Sequence, residues 1–123
     1  AVLRPGVEMV LEAVDLRKHL VGTDLVITAE GKLDRQSAFG KTPVGVARLA
    51  REFNVPVVVL AAVLQEGYES VFDEGVDACF AIADRPMSQA ESMSRTAELL
   101  AETARNVTRL YTRTGRGLDP GNR

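Results

Sequence analysis

The sequence has few of the side chains that build disulfides and transition-metal sites. Among its 123 residues there is one cysteine, Cys79, and one histidine, His19. A lone cysteine excludes an internal disulfide, and one cysteine with one histidine supplies too few ligands for a zinc cluster. Cys79 lies in an apolar run over residues 78–82, which favours an inert core thiol over a reactive one.

Long apolar runs and an excess of positive charge are also missing. No stretch approaches the roughly 20 apolar residues of a membrane span, and residues 1–5 lack the pattern of a signal peptide. The 15 Lys and Arg residues are scattered among 17 Asp and Glu residues, for a net charge of −2. We therefore expect a cytoplasmic protein that binds neither nucleic acid nor membrane. The absence of an initial Met predicts a fragment or a domain of a longer protein.

Length and composition are typical of one globular domain. With 46% hydrophobic and 26% charged residues in 123 positions, the chain is too apolar for disorder and long enough for one hydrophobic core. We expect a single α/β domain over residues 1–114. Residues 115–123, rich in Gly, Pro and Arg, are predicted to form a disordered tail.

Helical and strand-like patterns alternate along the chain. Helices are predicted over residues 5–20, 43–53, 68–74 and 88–113, and buried strands over residues 25–28, 57–62 and 78–82. The order α-β-α-β-α-β-α with short connections predicts a three-layer α/β/α fold with a parallel sheet, Rossmann-like or flavodoxin-like. Because such sheets usually have about five or six strands, further strands would come from chain that is missing here. The charged residues of the last helix, Arg95 and Glu98 among them, are interpreted as a solvated face.

Ligands of open α/β sheets bind beyond the carboxyl ends of the strands, which directs attention to the loops at residues 29–41, 63–67 and 84–87. The first loop with the helix start that follows it, residues 29–43, is the richest, with two carboxylates, three cations, an amide and two hydroxyls. Its end, Gly40-Lys41-Thr42, resembles a P-loop. The spacing is wrong for one, because Arg35 stands where the motif requires a glycine.

Two kinds of site remain possible in this loop. Thr42 is a good N-cap before Pro43, and the free amides of the following turn with Lys41 would attract a phosphate or carboxylate. Glu30 and Asp34 could bind Mg²⁺ or accept a proton from an attacking hydroxyl. The same charges are equally consistent with a solvated loop whose ion pairs are worth about 0–1 kcal/mol.

The loop and its flanks resemble the bacterial glycerate kinase family. Residues 24–47 read DLVITAEGKLDRQSAFGKTPVGVA, and the family pattern is approximately D-L-V-I-T-G-E-G-R-L-D-x-Q-[ST]-x-x-G-K-x-P-x-G-V-A. Residues 4–11, RPGVEMVL, are similar to the family's P-G-[IV]-E-x-V-L. The similarity continues through residues 56–62 and into the final helix, so the chain resembles the C-terminal portion of a longer polypeptide.

The resemblance implies a two-domain kinase that phosphorylates D-glycerate with ATP and Mg²⁺ in a cleft between its domains. This chain would form one wall of that cleft, with a missing N-terminal domain or a second copy as its partner, and would be inactive alone. By the resemblance, Asp34 and then Glu30 would be the general base or Mg²⁺ ligand. The residues expected to bind substrate or phosphate are Lys32, Gln36, Ser37, Gly40, Lys41 and Thr42.

The chain departs from the family pattern at three places. Ala29 replaces a glycine, Lys32 replaces an arginine, and residues 61–63 read Ala-Ala-Val where the family usually has Ala-Gly-Ser. These departures leave an alternative open, a catalytically silent α/β module that serves binding or assembly. In that case the strand over residues 57–62, if it lay at a sheet edge, would be a pairing surface.

Overall fold

A computed structural model describes residues 18–38 and 42–117. Its three strands are β1 Val26–Leu33, β2 Val57–Leu64 and β3 Ala78–Ala81. They form one sheet in the order β1-β2-β3, and both neighbouring pairs are parallel. The predicted α/β class with a parallel sheet is confirmed. Because β2 is the central strand of this sheet, it is not the edge strand that would have been a pairing surface in the alternative function.

The helical segments alternate with these strands. The α-helices are α1 Thr42–Glu52, α2 Gln89–Ser94 and α3 Thr96–Gly117, and the 3₁₀ helices are Arg35–Ala38 and Tyr68–Glu74. Residues 18–20 are helical, and the rest of the helix predicted over residues 5–20 lies outside the described residues. The segment predicted as a short helix over residues 68–74 has the expected bounds but the tighter 3₁₀ form.

The core is built by α1 and the sheet. Val44, Ala47 and Ala50 follow one another at helical spacing and are fully buried, together with Val57 and Val59 of β2. Burying each valine contributes about 1.5–3 kcal/mol relative to leaving it exposed. The apolar stripe of α1 predicted from the sequence is thus confirmed.

The end of α1 also follows the sequence prediction. Asn54 adopts φ 57°, the left-handed conformation in which a helix commonly terminates. The next amide, of Val55, donates to the carbonyl of Ala50 at 3.0 Å. Pro56 then precedes β2.

β1 and β2 are longer than the strands that we predicted from the apolar runs in the sequence. The ladder continues through Lys32 opposite Val63 to Leu33 opposite Leu64. Leu33 is 1% exposed, and the amide of Gln65 donates to its carbonyl at 2.8 Å. Burial of Leu33 and the continued ladder outweigh the low strand propensity of the polar residues before it. Glu30 and Lys32 therefore lie in β1 and not in the loop to which we assigned them.

The chain divides into two compact units, Ala1–Ala81 and Ile82–Arg123. The single domain over residues 1–114 stays a prediction. α3 runs to Gly117, beyond the expected helix end at residue 113 and into the first residues of the predicted tail. Residues 118–123 lie outside the described part of the chain.

The second unit contains two helices where the sequence predicted one. α2 begins after Ser88, whose hydroxyl accepts a hydrogen bond from the amide of Glu91 at 3.1 Å. At Arg95 the backbone departs from helical geometry, with φ −103° and ψ 10°. Hydroxyls near the break donate to carbonyls of α2, that of Ser94 to Glu91 and that of Thr96 to Met93, each at 3.0 Å. Such bonds compete with the helical pattern and explain the interruption.

Candidate functional site

Asp34 directly follows β1 and caps the 3₁₀ turn Arg35–Ala38. Its Oδ1 accepts hydrogen bonds from the amide of Gln36 at 2.9 Å and from the hydroxyl of Ser37 at 3.3 Å. In return, the amide of Asp34 donates to Ser37 Oγ at 2.9 Å. Asp is a favoured cap because its short carboxylate reaches the free amides of the first turn. One carboxylate oxygen is thereby fixed.

The other oxygen of Asp34 lies near a lysine. Lys32 Nζ is 3.7 Å from Asp34 Oδ2, and the two side chains are 54% and 27% exposed. In such an exposed pair, solvent screening leaves an attraction of about 0–1 kcal/mol. The lysine can therefore leave the carboxylate at little cost when an anion is present.

The remaining predicted residues are placed unequally. Glu30 is half-buried in β1 opposite Ala61, and it shares a strand face with Lys32 because side chains alternate along a strand. Thr42 begins α1, while Gly40 and Lys41 lie outside the described residues. The structure thus brings Lys32, Asp34, Gln36 and Ser37 together.

Ser37 has a different position from the one its predicted role suggested. It is 3% exposed, and its hydroxyl hydrogen is directed to Asp34. In this structure the hydroxyl supports the carboxylate. A role in orienting a substrate hydroxyl stays a prediction.

The loop after β2 packs against the Asp34 turn. Gly67 has φ +87°, and a Cβ added there would lie 2.7 Å from Arg35 Cβ. Ser70, in the 3₁₀ helix that follows, donates its hydroxyl hydrogen to the carbonyl of Arg35 at 3.2 Å. The loop over residues 63–67 was among those expected to bind ligands, but sequence reasoning singled out neither Gly67 nor Ser70. The available signal was the glycine directly before a predicted helix.

The departure from the family pattern at Ala29 causes no backbone strain. Among the described residues other than glycine, only Asn54 has a positive φ. Ala29 is ordinary extended backbone, half-buried and paired with Leu60. A glycine is therefore not required there for its conformation.

The third loop that we considered, residues 84–87, belongs to the second unit and contains an ion-pair cluster. Arg95 donates to both oxygens of Asp84, at 3.1 and 2.8 Å, and its Nε donates to Glu98 at 2.9 Å. These hydrogen bonds from Arg95 lower the pKa of Asp84 to about 2. The Arg95 side chain is 17% exposed, so it belongs to a cluster and is not part of a freely solvated face. This cluster fixes the start of the second unit and supplies no unpaired base.

The described part of the chain contains no group of three or more His, Cys, Asp or Glu side chains that could together hold a metal ion. Magnesium often takes only one or two protein carboxylates, with nucleotide phosphates and waters as its other ligands. Asp34 Oδ2 fits that limited role, since its other oxygen already has two donors. The residues suit a nucleotide-held magnesium and not a protein cage.

A groove of about 180 Å³ lies at the opposite end of the sheet. Arg51, Asn54 and Asp77 contribute its polar groups. The Oδ2 of Asp77 is occupied by the amide of Val57 at 2.7 Å. Because ligands of open α/β sheets bind at the carboxyl ends of strands, we assign no function to this groove. The helices of the described residues include none with both the length and the apolar composition of a membrane span.

Comparison with known proteins identifies the family. A model of the glycerate kinase family matches residues 1–112. The chain belongs to the glycerate kinase family. It is 46% identical over 107 residues to a glycerate kinase of Halalkalibacterium halodurans, covering 87% of this chain and 28% of that protein. It is 34% identical over 107 residues to the glycerate 2-kinase of Escherichia coli K12, covering 87% of this chain and 28% of that protein.

A solved structure gives the same result. A crystal structure from Salmonella typhimurium LT2 assigned as glycerate kinase 2 aligns with a TM-score of 0.61 and 32% identity, over 92% of this chain and 28% of that one. The predicted resemblance to the glycerate kinase family is confirmed. The chain spans little more than a quarter of the length of these relatives.

Proposed function

We propose that the chain forms one wall of a glycerate kinase active site, in which ATP phosphorylates D-glycerate, and that Asp34 is its central residue. The observation that carries the proposal is the held carboxylate at the carboxyl end of β1. Gln36 and Ser37 fix Oδ1, and Oδ2 is paired with the weakly attracted Lys32 at 3.7 Å. Membership of the glycerate kinase family supports the reaction class.

Asp34 Oδ2 would accept the proton of the glycerate hydroxyl as that oxygen attacks the γ-phosphorus of ATP, the bond from this phosphorus to the bridging oxygen breaks and ADP leaves. A general base must be held within hydrogen-bond reach of the proton that it takes. The capped turn restricts rotation of the carboxylate, because rotation would break the bonds at Oδ1. Glu30, in β1 four positions before Asp34, is the second candidate for this role.

The lysines would balance the negative charge of the reaction. Phosphoryl transfer depends mostly on positioning and on electrostatic stabilisation of the transferring group. Lys32 is 54% exposed in its side chain and can turn from Asp34 toward a substrate carboxylate or phosphate. We propose the same role for Lys41, beside the first turn of α1, with Gly40 and Thr42 contributing to that anion site.

Asp34 Oδ2, and secondarily Glu30, would hold a magnesium ion that accompanies the nucleotide. When bound, it would neutralise charge on the phosphates. Gln36 and Ser37 would keep the Asp34 carboxylate in place for either role, as base or as ligand.

The alternative, a catalytically silent module for binding or assembly, retains one supporting observation. Val63, where the family usually has a serine, is 46% exposed at the end of β2. The replacement of the family's glycine by Ala29 supports the silent module less, because the backbone of Ala29 is unstrained. An assembly module would bind a partner through the Val63 region without turning over nucleotide.

The test is an assay of the complete polypeptide encoded by the reading frame that contains these residues. We expect ADP formation that depends on D-glycerate, followed by coupled oxidation of NADH, with phosphoglycerate identified by ³¹P NMR. The 123-residue chain alone should show no turnover, because it spans 28% of the length of the Halalkalibacterium enzyme. ADP formation that does not depend on D-glycerate would contradict the proposal that D-glycerate is the substrate. Absence of any nucleotide turnover would favour the silent module.

The anion site can be tested on the chain itself. In a phosphate titration followed by ¹H-¹⁵N NMR, the largest amide shifts should fall on Lys41, Thr42, Val44 and Gly45. Lys41→Ala should reduce them, and added salt should do so as well, since exposed charges are screened over about 8–10 Å at physiological ionic strength. Shifts centred instead on Arg85 or on the arginines of α3 would contradict the assignment.

A further inference from the structure

We propose that Gly67 and Ser70 are positioning residues that hold the Asp34 turn from the neighbouring loop. The inference rests on the proposed function of Asp34. It assigns a role in the reaction to two residues that lie outside the Asp34 turn and contact Arg35. They act through Arg35, the residue that directly follows Asp34.

Gly67 allows the two loops to approach each other more closely than any residue with a side chain would. A Cβ at this position would lie 2.7 Å from Arg35 Cβ and 3.2 Å from Arg35 Cα. Contacts below 3.0 Å require one partner to move, and here the partner is at the root of the side chain. The φ of +87° independently favours glycine.

Ser70 fixes the same residue from a second direction. Its hydroxyl donates to the carbonyl of Arg35 at 3.2 Å. On the other side of Asp34, the amide of Gln65 donates to the carbonyl of Leu33 at 2.8 Å. The residues before and after Asp34 are therefore both attached to the segment that follows β2.

Displacement of Arg35 would be transmitted directly to the carboxylate. The peptide group between Arg35 and Gln36 contains both the carbonyl that Ser70 binds and the amide that donates to Asp34 Oδ1 at 2.9 Å. A shift of this planar unit lengthens the Gln36 bond. Asp34 then loses one of the two donors that orient it.

The first test is local and needs no activity. In the ¹⁵N-labelled chain, Gly67→Ala should shift the amide signals of Gln36 and Ser37 and increase the hydrogen-exchange rate of the Gln36 amide about tenfold. The matched control is Gly22→Ala, since Gly22 has φ +79° but nothing within 4 Å of an added Cβ. It carries the same conformational cost without the contact, so it should leave the Gln36 signal unchanged.

A rescue experiment isolates the contact with Arg35. Adding Arg35→Gly to Gly67→Ala removes the opposing Cβ and should return the Gln36 exchange rate to that of Arg35→Gly alone. Adding Arg35→Ala keeps this Cβ and should not restore the rate. Equal behaviour of the two double variants would overturn the packing argument.

Ser70→Ala provides an independent measurement if Gly67→Ala does not fold. It removes only the hydrogen bond to Arg35 and should shift the Gln36 amide in the same direction by a smaller amount. The control is Ser94→Ala, which removes a comparable exposed hydroxyl-to-carbonyl bond in α2. An unchanged Gln36 signal in Ser70→Ala would overturn the role of Ser70.

Kinetics of the complete polypeptide connect this coupling to the reaction. Gly67→Ala should lower kcat about tenfold, since small displacements of a catalytic group are costly, while the control Gly22→Ala should leave kcat unchanged. If Asp34→Asn is inactive but Gly67→Ala changes neither kcat nor the Gln36 amide, the inference is wrong and the proposed function stands. If Asp34→Asn retains full turnover, the proposed function fails, and the positioning role fails with it.

Discussion

Replacing Ser37 by alanine tests the central structural element of the site, the reciprocal bonding between this serine and Asp34. Ser37 is 3% exposed. Its hydroxyl accepts a hydrogen bond from the Asp34 amide at 2.9 Å and donates one to Asp34 Oδ1 at 3.3 Å. Ser37→Ala removes both bonds and leaves the Asp34 amide without its acceptor. We expect the folded state to be destabilised for this reason.

The size of the effect follows from the environment of each bond. Leaving a buried donor unsatisfied costs about 1–3 kcal/mol. The Asp34 side chain is 27% exposed, so water can replace the longer bond at Oδ1, and we place the total at about 1–2 kcal/mol. With a typical urea dependence of about 1–3 kcal/mol per molar, the midpoint should fall by roughly 0.3–2 M.

The assay is a urea titration followed by the amide signals of β2. These signals report on the unit Ala1–Ala81, which need not unfold together with the second unit. The control is Asp34→Asn, which keeps an acceptor oxygen for Gln36 and Ser37 and should change stability by less than about 0.5 kcal/mol, because Asn is as good a cap as Asp. A Ser37→Ala variant as stable as the original chain, or an Asp34→Asn variant equally destabilised, would refute the reasoning.

Three further predictions concern stability, pH and reactivity. Gly45→Ala should stabilise α1 by about 0.5–1 kcal/mol, since nothing lies within 4 Å of the added Cβ; a lower thermal midpoint would contradict this. The hydrogen bonds from Arg95 lower the pKa of Asp84 from 3.8 to about 2. The stability that this ion pair contributes should therefore be present above about pH 4 and disappear as the pH falls through 2. ¹³C NMR of the Asp84 carboxyl carbon follows its protonation. Burial raises the pKa of Cys79 to about 11, so iodoacetamide at pH 8 should modify this thiol far more slowly in the folded chain than in urea. Mass spectrometry measures the two rates. Equal rates would show that the thiol is accessible in the folded chain.

Much of the fold could be predicted from the sequence because its signals were local. The apolar spacing from Val44 to Ala50 defined the buried face of α1, and Asn54 and Gly75 marked helix ends that the structure places in the left-handed region. The ends of β1 and β2 could not be predicted in the same way. They depend on the pairing of Leu33 with Leu64, two residues far apart in the sequence.

The candidate site was predictable in its residues but not in its internal organisation. The dense polar sequence around Asp34 and its family pattern identified the loop. The capping role of Asp34 and the burial of Ser37 required the 3₁₀ turn to be known. The contact between Gly67 and Arg35 joins two loops, and the division of the last helix at Arg95 depends on several weak hydroxyl bonds to carbonyls, so neither has a clear signature in one sequence.

The central claim is that the Asp34 carboxylate acts as the general base of the reaction. It is tested most directly by the kcat of two isosteric variants of the complete polypeptide. Asp34→Asn preserves the acceptor for Gln36 and Ser37 but removes the negative charge, and we expect it to lower kcat by about 10²–10⁴-fold, as expected for loss of a general base. Asp73→Asn, at an exposed position in the 3₁₀ helix Tyr68–Glu74, makes the same chemical change outside the Asp34 turn and should leave kcat within twofold. Equal kcat values for the two variants would contradict the account.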